Sequence, residues 1–260
     1  MRLIGAHYAA RVTESPDPLF FNRDGARVER VLAVLAHPDD VDFGSAGTIK
    51  TWADAGIEVS YCIVTDGDAG GFDPLVPRAE IPLIRQAEQR AAGAVLGVFD
   101  VRFLGYRDGE LTVSHDLRRD ISRVIRQVRP NRVLIQSPER NWQRVQASHP
   151  DHLAAGEAAI QAVYPDARNP FAHTSLLRDE GLEAWTVPEV WVMATDKPDF
   201  WVDITDNFEF KLQALRAHAS QTAHVDDLED RIRGWMSMWA QQAGFGEGRL
   251  AEAFMIVGTA

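Results

Sequence analysis

Val31-Leu-Ala-Val-Leu-Ala36 runs straight into His37-Pro-Asp-Asp40, and the reading of this stretch decides the fold. Six apolar residues in succession, ending at charged ones, suit a strand buried on both faces, as in a parallel sheet. Gly44 to Ala55 then reads as a helix, with Ala46, Ile49, Trp52 and Ala53 on one face and Gly56 at its end. Ile57 to Thr65 is the next strand, the Gly-rich stretch Asp66 to Pro77 a loop, and Glu80 to Leu96 a second helix closed by Gly97. Val101 to Leu104 is a short strand, Leu117 to Val128 a helix stopped before Pro130, and Val133 to Gln136 another strand. Strand–helix alternation with short connections predicts an α/β fold, a doubly wound and mostly parallel sheet with helices on both faces.

A loop from Ser137 to Ser148 and a helix from Pro150 to Val163 follow. Residues 164–188, rich in Pro, Asp and Arg, are expected to form a long excursion near the site. Strands over 189–194 and 200–204, a helix over 206–219 and a last strand at Ala253–Val257 complete the pattern. Within 226–241, Leu228, Ile232, Trp235, Met236 and Trp239 form one apolar helical stripe, which either packs on the core or joins a homo-oligomer. The first 28 residues lack a sustained period and read as an irregular arm. No repeat or linker divides the chain, so one domain over 1–260 is expected.

The chain has 260 residues, with 27 Lys+Arg against 38 Asp+Glu and a formal net charge of −11. An apolar fraction of 45% and a charged fraction of 25% are ordinary for a globular protein. The acidic balance argues against nucleic acid as a partner, because phosphate-backbone binders carry a basic stripe. No apolar run reaches the 18 or so residues that span a bilayer, and the N-terminus lacks the apolar core of a secretory signal. A single cysteine, Cys62, rules out an intrachain disulfide and a multi-thiolate metal site. A cytoplasmic enzyme or binding module acting on a small molecule is the expectation.

His37-Pro-Asp-Asp40 sits at the carboxyl end of a buried strand, where open α/β sheets bind ligands. Imidazole and carboxylate together suit Zn²⁺ or another divalent transition metal. Adjacent carboxylates leave the backbone in different directions, so one can bind metal while the other reaches its water. The competing reading is a polar turn with Asp39 or Asp40 as helix N-cap. A second motif, His149-Pro-Asp-His152, tips the balance. Pro150 and Asp151 suit a first helical turn, and His149 and His152, three apart, lie on roughly the same side. Two His and one Asp, with the fourth position left to water, make an open site of the catalytic type.

With these two motifs in place, the chain resembles the LmbE-like or PIG-L-type zinc-dependent N-deacetylases from about Val31 to Val257. Ala36-His-Pro-Asp-Asp40 and Ser148-His-Pro-Asp-His152 carry the resemblance. Thr65-Asp-Gly-Asp68, Arg85-Gln-Ala-Glu88, Leu96-Gly97 and Leu104-Gly-Tyr-Arg-Asp-Gly109 support it, as do Val202-Asp-Ile-Thr205, Lys211, Ala217-His-Ala-Ser-Gln221 and Ala251-Glu-Ala-Phe254. The resemblance implies a Rossmann-like fold and a substrate bearing an N-acetylated amino sugar, often N-acetylglucosamine on an aglycone. Some members instead cleave the amide of a sugar–thiol conjugate. It also implies that His37, Asp40 and His152 bind the metal, that Asp39 is the general base and that His149 steadies the oxyanion. Some relatives carry a Tyr in the loop before the second motif, and the loop 137–148 here has none; its role passes to another group or is absent.

The chemistry of the residues agrees with this assignment. Bound Zn²⁺ lowers the pKa of its water to about 7. Asp39 would take the water's proton and return it to the leaving amine, and a protonated His149 would donate to the oxyanion. Cys62 lies inside an apolar strand and no G-x-S-x-G elbow occurs, which speaks against a nucleophilic mechanism. Candidate substrate contacts are Arg85, Asp108, Trp142, Trp185 and Glu252, each with a bland counterpart. Arg85 could pair with Glu88 on a helix surface, Asp108 could be an ordinary turn residue, and the two tryptophans could simply pack. Gly67, Gly70 and Gly71 resemble a phosphate loop only loosely, and His218 reads as a packing histidine. Together these residues point to metal-dependent removal of an N-acetyl group from a small glycosylated substrate. The alternatives are the sugar–thiol amidase and a carbohydrate-binding protein that keeps metal without turnover.

Overall fold

The structure is a computed structural model that describes residues 16–259. Of the arm expected over 1–28, residues 1–15 lie outside the described residues. The remainder, 16–28, forms turns held under the sheet. The Arg132 guanidinium donates to the carbonyls of Pro18 and Leu19, and the Trp52 indole N–H also donates to Leu19 O.

Seven strands form one sheet: β1 Arg30–Leu35, β2 Glu58–Thr65, β3 Asp100–Tyr106, β4 Arg132–Gln136, β5 Glu189–Met193, β6 Phe200–Asp203 and β7 Ala251–Gly258. Their order is β3-β2-β1-β4-β5-β7-β6. The first five are parallel, and β7 runs antiparallel to both β5 and β6. β1 lies at the centre, with Val34 between Cys62 of β2 and Ile135 of β4. That position explains its unbroken apolar run, since Val31, Ala33 and Leu35 face one helical layer while Leu32 and Val34 face the other.

The first layer contains α1 Asp40–Asp54, α2 Ile81–Leu96, α6 Phe208–Ala217 and α8 Leu228–Gln242; the second contains α3 His115–Val128 and α4 Pro150–Gln161. Two short helices, α5 Thr174–Arg178 and α7 Ala219–Thr222, complete the set. Buried Cys62, its thiol pushed up to about 12 by burial, is a core residue.

Three sequence expectations shift. α1 begins at Asp40 rather than Gly44, so the first motif leads directly into the helix, with Asp40 and Asp42 favouring its first turn. None of residues 164–188 lines the cavity that contains Asp40 and His152. The segment packs along α3, where Asp166 accepts two hydrogen bonds from Arg118, and Arg126 donates to the carbonyls of Asp166, Ala167 and Asn169. The apolar stripe of α8 divides: Leu228, Ile232 and Met236 are buried in the core, while Trp235 and Trp239 stay half-buried beside a cavity. No helix among the described residues is long and apolar enough to cross a membrane.

Candidate active site

The two motifs meet at the carboxyl end of the sheet, His37–Asp40 between β1 and α1 and His149–His152 at the start of α4. Close approach of α4 to β4 makes this meeting possible. A Cβ on Gly156 would overlap the carbonyl oxygen of Gln136, so the position demands glycine. His37 Nδ1 stands 3.2 Å from His152 Nε2 and 3.3 Å from Asp40 Oδ2, and His152 Nε2 is 3.0 Å from Asp40 Oδ1. A tetrahedral ion with bonds of about 2.0–2.1 Å holds neighbouring donors about 3.3 Å apart, close to these separations, with the two oxygens of Asp40 divided between the two rings.

The other ring nitrogen of His37 faces carboxylates: Nε2 lies 3.1 Å from Asp108 Oδ1 and 3.3 Å from Asp151 Oδ2. Such outer partners set the tautomer of a ligating histidine. Asp151 is itself anchored by the backbone N–H groups of Gly109 and Leu111. Two further groupings therefore also place three ligand atoms within metal reach, His37/His149/His152 and His37/Asp108/Asp151. His37 belongs to every one of these sets.

Burial works against a charged imidazole at His37, yet the hydrogen bonds to Asp108, Asp151 and Asp40 outweigh it and push the pKa up to about 12. Burial would raise the Asp40 pKa, but the charges and hydrogen bonds of His152 and His37 hold it well below the usual carboxylate range. His152 is raised in turn: burial opposes its charge, and Asp40 overcomes that. For Asp108 and Asp151 burial also opposes ionisation, and the bond to His37 brings both net downward.

Asp39 behaves differently. It occupies the helix N-cap position with φ 90°, a left-handed conformation uncommon for a residue with a side chain, and its carboxylate makes no capping bond. The capping-turn reading of this segment therefore fails for Asp39. The carboxylate instead accepts from Arg85 Nη2 at 3.0 Å, and its backbone N–H donates to Gln89 Oε1 at 2.8 Å. Burial pushes its pKa up to about 6, against the opposing charge of Arg85.

Arg85 is 3% exposed and also donates to the carbonyls of Pro38 and Gly67. It makes no helix-surface pair with Glu88, which instead accepts from Ser220. Gly67 and Gly70 leave room for this clamp. Gly67 has φ +62°, and Cβ atoms at Gly67 and Gly70 would press on the guanidinium.

His149 is partly exposed. Its Nδ1 accepts the Asp151 N–H at 3.2 Å, so the neutral ring carries its proton on Nε2. Burial and then the neighbouring His37 and His152 charges hold its pKa below the ordinary histidine value.

Other sequence candidates disperse. Asp108 joins the site through His37. Trp142 lies on the 137–148 loop but is 80% exposed. Trp185 is at the wrong end of the sheet, its indole N–H donating to the carbonyl of Pro130, two residues before β4. Glu252 does not reach the site either: fully buried under α1, it accepts from Gly47 N, Thr48 N and Lys211 Nζ. His218 is a packing histidine, buried 2.8 Å from Asp42. Sequence reasoning missed Gln89 and the partnership of Asp151 with His37. The second was signalled by the Asp inside His149-Pro-Asp-His152; the first had no signal.

Residues 32–163 match the family model of the GlcNAc-PI de-N-acetylases, PIG-L. The chain belongs to this family. A diacetylchitobiose deacetylase of Thermococcus kodakarensis is 38% identical over 194 residues, covering 75% of this chain and 70% of that protein. A probable N-acetyl-α-D-glucosaminyl L-malate deacetylase 2 of Bacillus cereus is 34% identical over 211 residues, covering 78% of this chain and 89% of its own. Among solved PIG-L-type folds, the N,N′-diacetylchitobiose deacetylase of Pyrococcus horikoshii superposes with a TM-score of 0.81 at 33% identity, covering 89% of this chain and 84% of that one.

Proposed function

We propose that this chain is a metal-dependent hydrolase that removes the N-acetyl group from an N-acetylated amino sugar within a small glycosylated molecule. One observation carries the reading. Three donors converge at cation-binding distances while a second carboxylate, Asp39, is held beside them without capping the helix it precedes. His37, Asp40 and His152 would hold the cation, and two imidazoles with one carboxylate favour Zn²⁺. A cation bound there would supply Lewis acidity toward the acetyl carbonyl.

The remaining chemistry belongs to the chain. Asp39 accepts a proton from the attacking water and passes it to the nitrogen as the amide C–N bond breaks, which releases acetate and the free amine. Arg85 and Gln89 fix the Asp39 side chain and backbone for that transfer. His149, neutral, donates Nε2–H to the oxyanion that develops on the acetyl carbonyl. Asp108 and Asp151 keep His37 in one tautomer. The deacetylase relatives favour this reading over the sugar–thiol amidase and over a non-catalytic binder.

The test is metal analysis of the purified protein, followed by assay of acetate release from N-acetylated amino sugars. About one divalent ion per chain is expected. Activity should vanish on chelation and return with Zn²⁺ or Co²⁺. A metal-loaded protein that releases acetate from no N-acetylated amino sugar would overturn the reading.

A further inference from the structure

The strand order reverses between β1 and β4, with β3-β2-β1 on one side and β4-β5-β7-β6 on the other. Open α/β sheets leave a ligand crevice at such a point. Gln136, the last residue of β4, stands there, its backbone carbonyl pressed against Gly156 of α4. Its side chain is 2% exposed and tied at one end, where Oε1 accepts the backbone N–H of Ala36 at 2.9 Å. Only the oxygen of an amide can answer an N–H, so this bond decides which end is which and turns the NH2 group away from Ala36. Among the described residues, none accepts a hydrogen bond from Nε2, yet it is not sealed in the core as the orphaned Asp42 Oδ1 and Tyr61 hydroxyl are. Gln136 lines a cavity of about 580 Å³ that also contains Asp40 and His152. Left unanswered, a donor so far from bulk water costs about 1–3 kcal/mol.

We propose that Gln136 is a further catalytic residue, its Nε2–H donating to the acetyl oxygen as negative charge develops there, alongside the Nε2–H of His149. This inference rests on the deacetylase reading above. The amide under attack has to reach the triangle of His37, Asp40 and His152, and Ala36, which holds Gln136, directly precedes His37. What arrives at that corner of the cavity is the acetyl group, and its oxygen is the acceptor an NH2 group meets there. No proton is transferred; the donated hydrogen bond strengthens as the carbonyl oxygen gains charge. With its backbone locked by α4 and its Oε1 held by β1, the donor needs no reorganisation when the charge appears. A side chain that merely ended the β1–β4 ladder would use Oε1 alone and have no need of the NH2 group.

The experiment measures kcat and KM on N-acetylglucosamine and on its N-trifluoroacetyl counterpart, in the wild-type protein, Gln136→Glu and Gln136→Met, with metal content read on the same samples. Glu keeps an oxygen for the Ala36 N–H and puts an acceptor where the donor was; Met keeps the length and removes both. Both variants are expected to keep their metal and to lose about 10²–10³-fold in kcat with little change in KM. Fluorine draws charge off the developing oxyanion, so on the trifluoroacetyl substrate the loss should be about tenfold smaller. Wild-type kcat in Gln136→Glu, equal losses on the two acyl groups, or loss of metal from both variants would overturn the role. Calorimetric binding of the methylphosphonamidate analogue of N-acetylglucosamine to the metal-loaded protein separates the two readings. If the wild type hydrolyses neither substrate, the deacetylase reading falls. Analogue binding weakened about tenfold or more in Gln136→Met would then still support the donor, while equal binding, or none, would remove it.

Discussion

Replacing Glu252 by Gln removes one charge from a pair whose two side chains are wholly buried. Glu252 accepts from Gly47 N at 3.0 Å, Thr48 N at 2.8 Å, Thr48 Oγ1 at 2.6 Å and Lys211 Nζ at 2.8 Å. Those four contacts use the whole acceptor capacity of a carboxylate. Lys211 spends its other two protons on the carbonyls of Asp42 and Phe43, in the first turn of the helix that begins at Asp40. In Glu252→Gln the amide group turns donors toward donors, and Lys211 keeps a buried charge with only carbonyl dipoles to meet it. Breaking a buried pair at one partner costs about 3–5 kcal/mol, a large share of the roughly 5–15 kcal/mol that holds a protein folded. Chemical denaturation followed by circular dichroism measures the loss. The double variant Lys211→Met/Glu252→Gln removes the orphaned charge and should show a coupling of at least about 2 kcal/mol. A single variant within about 1 kcal/mol of wild type, or a double variant equal to the sum of the singles, would refute the argument.

Asp39→Asn should keep the metal and the fold while losing on the order of 10²–10⁴ in rate, whereas Asp40→Ala should lose the metal; metal stoichiometry and acetate release, measured side by side, check both. Gly156→Ala should lower stability by about 1–3 kcal/mol, because its Cβ would overlap the backbone of Gln136, while Gly234→Ala, with nothing within 4 Å on a helix, should raise it by up to about 1 kcal/mol; thermal unfolding reads both. His218 yields a pH dependence. Burial opposes its charge but the hydrogen bond and charge of Asp42 prevail, so its folded pKa is raised. Its stabilisation is therefore full below the unfolded pKa of about 6.5 and is lost as pH rises through the folded value. The urea midpoint gap between wild type and His218→Asn should narrow over that rise, and a gap that widens would contradict the sign.

The order of elements and the two His-Pro-Asp motifs were legible because both are local. A run such as Val31–Ala36 declares a two-sided strand, and His37, Asp40 and His152 sit at the ends of elements whose topology brings such ends together. The start of α1 was misplaced because Asp40 and Asp42 read as loop residues, while in the fold they favour a helix N-terminus.

Contacts between residues far apart in the chain were not legible. Arg85 in α2 reaches Asp39 across 46 residues, His37 and Asp151 are 114 apart, and Glu252 is drawn under α1 by a lysine 41 residues away. Composition gives a charged side chain no preferred partner; only packing decides which opposite charge it meets when water is excluded. The same holds for the tryptophans. Trp142, Trp185, Trp235 and Trp239 are alike as residues, yet the sheet's direction puts Trp185 at its far end and the rotation of α8 turns Trp235 and Trp239 to the cavity. The sequence by itself determined which groups can hold a cation and move a proton, because those follow from residue type and spacing. Tertiary structure alone decided which carboxylate Arg85 holds and which tryptophans border the cavity, because both depend on directions in space that spacing along a chain does not encode.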